Sequence, residues 1–257
     1  MSATPSSETK KNTLFIVLGG FFICNALVAE FIGVKIFSLE KSLGFQPLSI
    51  KLLGNDFSFN MTAGVLLWPV VFIMTDIINE YYGKKGVRLL SYLAASLIAY
   101  AFVMVFWAMH LHPADFWLFK DAAGEKLNMQ LAYSNIFGQG LWIIIGSLVA
   151  FLFGQLIDVT VFHFVKLKTG NRMLWLRSTG STLVSQFIDS FVVLFIAFYI
   201  GAGWDIKLVI GIGIVNYIYK FLVALVLTPS LYLVHAAIDR YLGKELAEQM
   251  MKEAEEQ

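Results

Sequence analysis

The sequence predicts an all-α, polytopic membrane protein with six transmembrane helices and both termini in the cytoplasm. Three observations predict it. The 257 residues are 58% hydrophobic and only 14% charged, with a mean hydropathy of +0.72, the composition of a chain whose solvent is mostly lipid. Apolar runs near the ~20 residues needed to cross a bilayer recur along the chain and leave no room for a second, soluble domain. Basic residues crowd into one of the two sets of loops. The same composition excludes other classes. A net charge of +1 lacks the basic face that nucleic acid requires. Cys24 is the one cysteine, which excludes an intrachain disulfide and a cysteine-built metal site. In its apolar run it reads as a small hydrophobe.

Residues 1–13, MSATPSSETKKNT, are polar and are expected to form a disordered tail. The apolar run that follows is long and lacks a small-residue cleavage pattern, so Leu14–Ile36 reads as a first span rather than a cleavable signal. Leu39–Phe59 holds Gly44, Pro47 and Gly54, and its alternation (Leu48, Ile50, Leu52; Phe57, Phe59) predicts a short external hairpin. Met61–Tyr82 is the second span and Arg88–His110 the third. In the loop His112–Tyr133, the run from Pro113 to Trp117 predicts an interfacial helix. Proline suits the first helical position and tryptophan the headgroup layer. Ser134–Val165 exceeds one bilayer thickness. It reads as a lead-in holding Gly138 and Gly140 and a fourth span from Leu141 to Val165, with one strongly tilted helix as the alternative. Arg177–Ile200 and Ile206–Ala236 are the fifth and sixth spans. The membrane domain is then 14–238, and 239–257 is an amphipathic, charged cytoplasmic tail.

Orientation follows from lysine and arginine. One side collects Lys10, Lys11, Lys84, Lys85, Arg88, Lys166, Lys168, Arg172, Arg177, Arg240, Lys244 and Lys252. The other has Lys35, Lys41, Lys51, Lys120, Lys126 and Lys207. Twelve against six places both termini inside. Lys220 belongs to neither side, because it lies within the sixth span.

Polar residues inside the spans carry the functional signal, since a charge at bilayer depth costs ~2.5–3.5 kcal/mol on insertion scales. Asp76 and Glu80 close the second span one turn apart on one face. Gln155 and Asp158 share a face of the fourth. Thr182, Ser185, Gln186 and Asp189 form a stripe on the fifth, with Asp189 ~18 Å past Arg177 in a regular helix. Asn216 and Lys220 share a face of the sixth. Asn25 is central in the first, with Glu30 ~140° round the helix from it. Structural readings stand beside these. Asn25 can make a plain interhelical hydrogen bond, Glu80 can pair with Lys84, Glu30 can face Lys35, and Lys220 with Asp189 can be a structural pair. Even so, the excess of mid-membrane carboxylates over cations calls for a cation, a proton or a hydrogen-bond donor.

Enzyme signals are weak. His110, His112, His163 and His235 form no metal-ligand spacing, so no metal site or cofactor is expected. No nucleotide-binding loop occurs, so energisation by ATP would need a separate ATPase module. Trp68, Trp107 and Trp142 can stack on a flat ligand, though aromatic residues in spans more commonly pack.

The run from Ala63 to Pro69, then Thr75-Asp76-Ile77-Ile78-Asn79-Glu80-Tyr81-Tyr82-Gly83-Lys84-Lys85, resembles the signature of the queuosine precursor transporter family, also called the vitamin uptake transporter family. Gly154–Asp158, Ser178–Asp189 and Asn216–Lys220 resemble its later motifs. The resemblance implies a six-helix bacterial inner-membrane importer of 7-deazaguanines such as 7-cyano-7-deazaguanine, its aminomethyl relative, or queuine. It implies Asn25, Asp76, Glu80, Gln155, Asp158, Gln186, Asp189, Asn216 and Lys220 as substrate-binding positions. The chemistry agrees. A carboxylate accepts both donors of the guanine-like edge, glutamine bridges carbonyl and ring nitrogen, and lysine donates to the carbonyl. Asp189 with Gln186 and Asp158 with Gln155 are the expected clamp, working by alternating access in the lipid bilayer. A homodimer and an ATPase partner stay open.

Overall fold

A computed structural model describes residues 6–122, 124–138, 141–169, 173–201 and 203–256. Its first helix, α1, spans Ser7–Ile32. Ser6 caps it by accepting the Thr9 N–H at 3.2 Å, and Glu8 complements the positive end of the helix. This corrects the expected tail of residues 1–13, because 7–13 are the first turns of α1. Their partners come from distant parts of the chain and are invisible to local polarity. Lys11 lies 3.3 Å from Glu253, and the Tyr82 hydroxyl donates to the Lys11 carbonyl at 2.7 Å.

The next long helix, α3, covers Trp68–His110, but the chain reverses inside it at Gly83 (φ 67°, ψ −172°). Only glycine adopts that backbone region readily. Contacts with α1 show the reversal. Phe15 packs on Tyr82 with ring centroids 4.9 Å apart, and Gly19 meets Leu90. At the opposite end of α1, Gly64 sits on the Ala29 carbonyl and Phe31 stacks on Phe102 at 5.8 Å. Both arms of α3 therefore run beside α1, in opposite directions. They correspond to the second and third expected spans with shifted starts. Residues 60–66 form a strand and a 3-10 turn, so the first arm begins at Trp68 with Pro69 in its first turn.

The segment between α1 and α3 caps the end of the bundle away from the chain termini. Strand β1 (Ile36–Ser38) pairs antiparallel with β4 (Asn60–Thr62), with the short α2 (Leu39–Ser42) between them in sequence. The expected hairpin is present, with β2 (Ile50–Leu52) paired to β3 (Asn55–Phe57) and Ile50 opposite Phe57. Leu53 and Gly54 both take positive φ, as a tight two-residue turn of this kind requires. Phe57 fills a notch at Gly211, where an added Cβ would lie 2.2 Å from the ring. Glu40 ties the cap together by accepting from the Phe59 N–H (2.8 Å), the Leu48 N–H (3.4 Å) and the Ser38 hydroxyl (3.0 Å). Burial opposes its charge, but these donors outweigh burial and hold the carboxyl below its usual range.

Beyond α3 comes a one-turn helix, α4 (Asp115–Leu118). It starts two residues after Pro113, so proline precedes the helix rather than opening it. A hairpin of β5 (Phe119–Ala122) and β6 (Glu125–Asn128) leads to α5 (Met129–Phe137). Then follow α6 (Leu141–Thr169) and α7 (Leu174–Leu194), the latter continuing as a π-helical turn over Phe195–Ile200. The chain closes with α8 (Ile206–Leu242) and α9 (Lys244–Glu255). Gly140 and Arg172, and the side chains of Trp142 and Arg177, lie outside the described residues. Helices in lipid associate through small residues that let backbones approach, and α6 and α7 do so. A Cβ on Gly146 would be 3.2 Å from the Val193 carbonyl, and one on Gly154 would be 3.6 Å from the Asp189 Cβ. Among the described residues, five helices are long and apolar enough to cross a membrane, and α3 is one of them.

Candidate functional site

Residues of α3, α7 and α8 line a cavity. The sequence builds its walls from three helical faces. On α3, Trp68, Phe72 and Asp76 recur at i, i+4, i+8. On α7, Thr179, Thr182 and Gln186 recur at i, i+3, i+7. On α8, Lys220, Ala224, Leu227 and Leu231 follow the same period. The result is an aromatic and aliphatic wall facing a row of hydroxyl, amide and carboxyl groups.

A second polar layer lies behind that row. The Ser178 hydroxyl donates to Asp76. Asp158 is fully buried and is within hydrogen-bonding reach of Ser181, Ser185 and Asp76, with Ser185 at 3.1 Å. Gln155 is buried beside it and accepts the Thr75 hydroxyl at 2.8 Å. Ser178, Ser181 and Ser185 therefore form a serine row on α7, adjacent to the threonine-glutamine row that faces the cavity.

Of the nine expected positions, Asp76, Gln186 and Lys220 line the cavity. Gln155 and Asp158 support it from behind. Asp189 is held by Lys220, whose ammonium donates to it at 2.5 Å. Glu80 is almost fully buried and lies 3.3 Å from Lys166, which also reaches Glu255 at 3.6 Å. The alternative pairing with Lys84 is not formed, and Gly83 between the two residues takes non-helical backbone. Glu30 receives the Ser147 hydroxyl, so its contact comes from α6 rather than from Lys35. Asn25 donates to the Phe21 carbonyl of its own helix at 2.8 Å, and Asn216 is half-buried one turn from Lys220. Neither lines the cavity.

Sequence reasoning did not single out Phe72, Thr179, Tyr219 or Thr228, which also line the cavity. It assigned no partner to Lys166. Thr179 was legible, since it extends the Thr182–Gln186 row by one turn. Trp68 lines the cavity, whereas Trp107 faces outward at 61% exposure. Among the described residues, no group of three or more His, Cys, Asp or Glu could hold a metal ion.

The profile of the family described as "Putative vitamin uptake transporter" matches residues 62–234, which include every residue lining the cavity. The chain belongs to this family. Two relatives extend the match. A protein of Bacillus subtilis is 34% identical over 181 residues, covering 68% of this chain and 72% of its own length. One of Haemophilus influenzae is 30% identical over 194 residues, covering 72% and 73%. Both carry the name "Probable queuosine precursor transporter". No solved structure matches the chain. As a member of this transporter family with several membrane-capable helices, the chain is a multi-pass membrane protein. Within the matched stretch the family pattern takes in both arms of α3, α6, α7 and most of α8, while α1 and α9 lie outside it.

Proposed function

We propose that this transporter imports a queuosine precursor, a 7-deazaguanine, across the bacterial inner membrane. It crosses the bilayer six times, through α1, the two arms of α3, α6, α7 and α8, with both termini cytoplasmic. The observation that carries the reading is Asp76, a buried carboxylate on the wall of a cavity whose same helical face presents Trp68 and Phe72. A deazaguanine is flat and aromatic and offers adjacent N1–H and 2-amino donors. The carboxylate accepts both, and the aromatic wall takes the ring. The names of the two relatives support the same substrate class. Cytoplasmic termini agree with the twelve-to-six bias of basic residues, and the Lys11–Glu253 pair keeps both chain ends together. Recognition moves from the Asp189 and Asp158 clamp expected from sequence to Asp76, with Asp158 and Gln155 as its backing.

The test is genetic and chemical. The chain is expressed in a bacterium that cannot make queuosine and lacks its own importer, single deazaguanines are supplied, and tRNA is assayed for the modified base. Modified tRNA is expected with the wild-type chain and not with Asp76→Asn. Modification only when an ATPase module is co-expressed would instead make the chain the binding subunit of a larger pump. Orientation is checked separately. Cysteines placed at Ser42 and Ala122 should react with an impermeant reagent in intact cells, and one at Thr169 should not. The reverse pattern would invert the topology.

A further inference from the structure

Among the groups on the cavity wall able to donate to a ligand carbonyl are Lys220 and Gln186, and their surroundings differ. The Lys220 ammonium is already directed at Asp189, 2.5 Å away. Gln186 is only 4% exposed, lines the cavity, and its side-chain Nε2 has no hydrogen-bond partner among the described residues. A buried amide N–H2 without a partner is costly in a folded protein, and the natural relief is an acceptor supplied by the cavity's occupant. Asp76 stands on another wall of the same cavity. Together the two groups present acceptors from the carboxylate and a donor from the amide. A heterocycle edge on which two donors adjoin a carbonyl oxygen calls for both kinds of group.

We infer that Gln186 reads the six-position carbonyl of the ligand and sets selection for 6-oxo over 6-amino heterocycles, while Lys220 serves to hold Asp189. The inference rests on the deazaguanine reading above and assigns the partner of one further atom of that ligand. A 6-amino compound would point a donor at the amide donor and leave both unsatisfied, which is how a polar site rejects an otherwise identical molecule. Amide orientation follows the surrounding hydrogen bonds. With the amide reversed, the oxygen would face the ligand and favour the amine instead, so selectivity reports which way Gln186 points.

The experiment is calorimetry on the purified full chain with 7-cyano-7-deazaguanine and its 6-amino counterpart. Wild type should bind the 6-oxo compound at least about tenfold more tightly. Gln186→Met, which keeps the length and removes the donor, should lose about ten- to hundredfold for the 6-oxo compound and little for the 6-amino one. Gln186→Glu at about pH 9, well above the ordinary carboxylate range, should reverse the preference. Lys220→Met combined with Asp189→Leu should keep the wild-type preference. Undiminished 6-oxo binding by Gln186→Met would overturn the inference, as would loss of selectivity in the Lys220/Asp189 double variant with Gln186 intact. Wild-type protein that binds both compounds equally also overturns it and leaves the deazaguanine reading standing. Wild-type protein that binds neither sinks both together.

Discussion

Carboxylates gather around α7 in two places, and their surroundings differ. Towards α8, Asp189 has an ammonium 2.5 Å away from Lys220. Towards α3 and α6, Asp76 and Asp158 meet each other among the hydroxyls of Ser178, Ser181 and Ser185. An ion pair in a poorly hydrated interior satisfies its charge and is costly to split. A serine hydroxyl donates a weaker, rotatable bond, and both kinds of contact occur along α7.

Breaking the ion pair should give the largest effect. Lys220→Met leaves the half-buried Asp189 without its cation, and losing one member of a fully buried pair costs about 3–5 kcal/mol. The two side chains are 15% and 21% exposed, which places the loss towards the low end. Thermal unfolding in detergent should show a marked drop for Lys220→Met and recovery in the double variant with Asp189→Leu. Absence of recovery would mean that Lys220 does more than neutralise Asp189.

The Asp76 site should respond in the opposite sense, losing binding before stability. Asp76→Asn replaces an acceptor by a donor opposite a ligand donor, a penalty of about 1–3 kcal/mol, or roughly ten- to hundredfold in affinity. The protein should stay monodisperse. Asp189→Asn should weaken deazaguanine binding far less. Equal losses in the two variants, read by calorimetry, would erase the distinction.

Glu80 sharpens the comparison, because it is an ion-paired carboxylate at the end of the bundle that carries the chain termini. Lys166 bridges it to Glu255 of α9. Lys166→Met should release α9, seen as faster proteolysis after Lys244, with ligand affinity nearly unchanged. Loss of affinity with α9 still protected would tie Lys166 to the cavity instead.

The smallest effect concerns Glu40, which holds the opposite cap with neutral donors. Its carboxyl titrates below the ordinary range because backbone and hydroxyl donors outweigh burial. Its contribution is therefore present above the unfolded-state pKa and is lost as pH falls through the lower folded-state value. Labelling of a cysteine at Ser42 should rise as the solution is acidified through that window, and Glu40→Gln should remove the dependence. A pH response that persists in Glu40→Gln would assign it to another group.

Most of the architecture was legible because hydropathy is set residue by residue. The spans, the hairpin around Leu53 and Gly54, and the polar stripe on α7 all follow from periodicity. What escaped depends on partners remote in sequence. The first turns of α1 are polar and gain Lys11–Glu253 and Tyr82 only in the fold. The alternative Glu80–Lys84 pairing is not formed, and Gly83 lies between the two residues. For the site, sequence placed Asp189 with Gln186 and Asp158 with Gln155 first, whereas Asp76, Gln186 and Lys220 are the expected positions that line the cavity. The rotation of each helix about its axis is fixed by contacts such as Gly154 against Asp189 and Thr75 with Gln155, and no single helix encodes these.

The reversal at Gly83 has a mechanical consequence. An added Cβ on Gly86 would lie 2.7 Å from the Tyr82 Cβ and 3.7 Å from Ile78, so the two arms of α3 clasp each other from the first turn, with no connecting loop to stretch. They must travel as one lever, with Asp76 two helical turns from its fulcrum. Any motion that exposes the cavity to alternate faces of the membrane has to be taken up elsewhere. Pro229, which interrupts the hydrogen-bond ladder of α8, and the π-helical turn that ends α7 are the compliant points beside this lever. A reporter domain inserted at the reversal would break the lever itself.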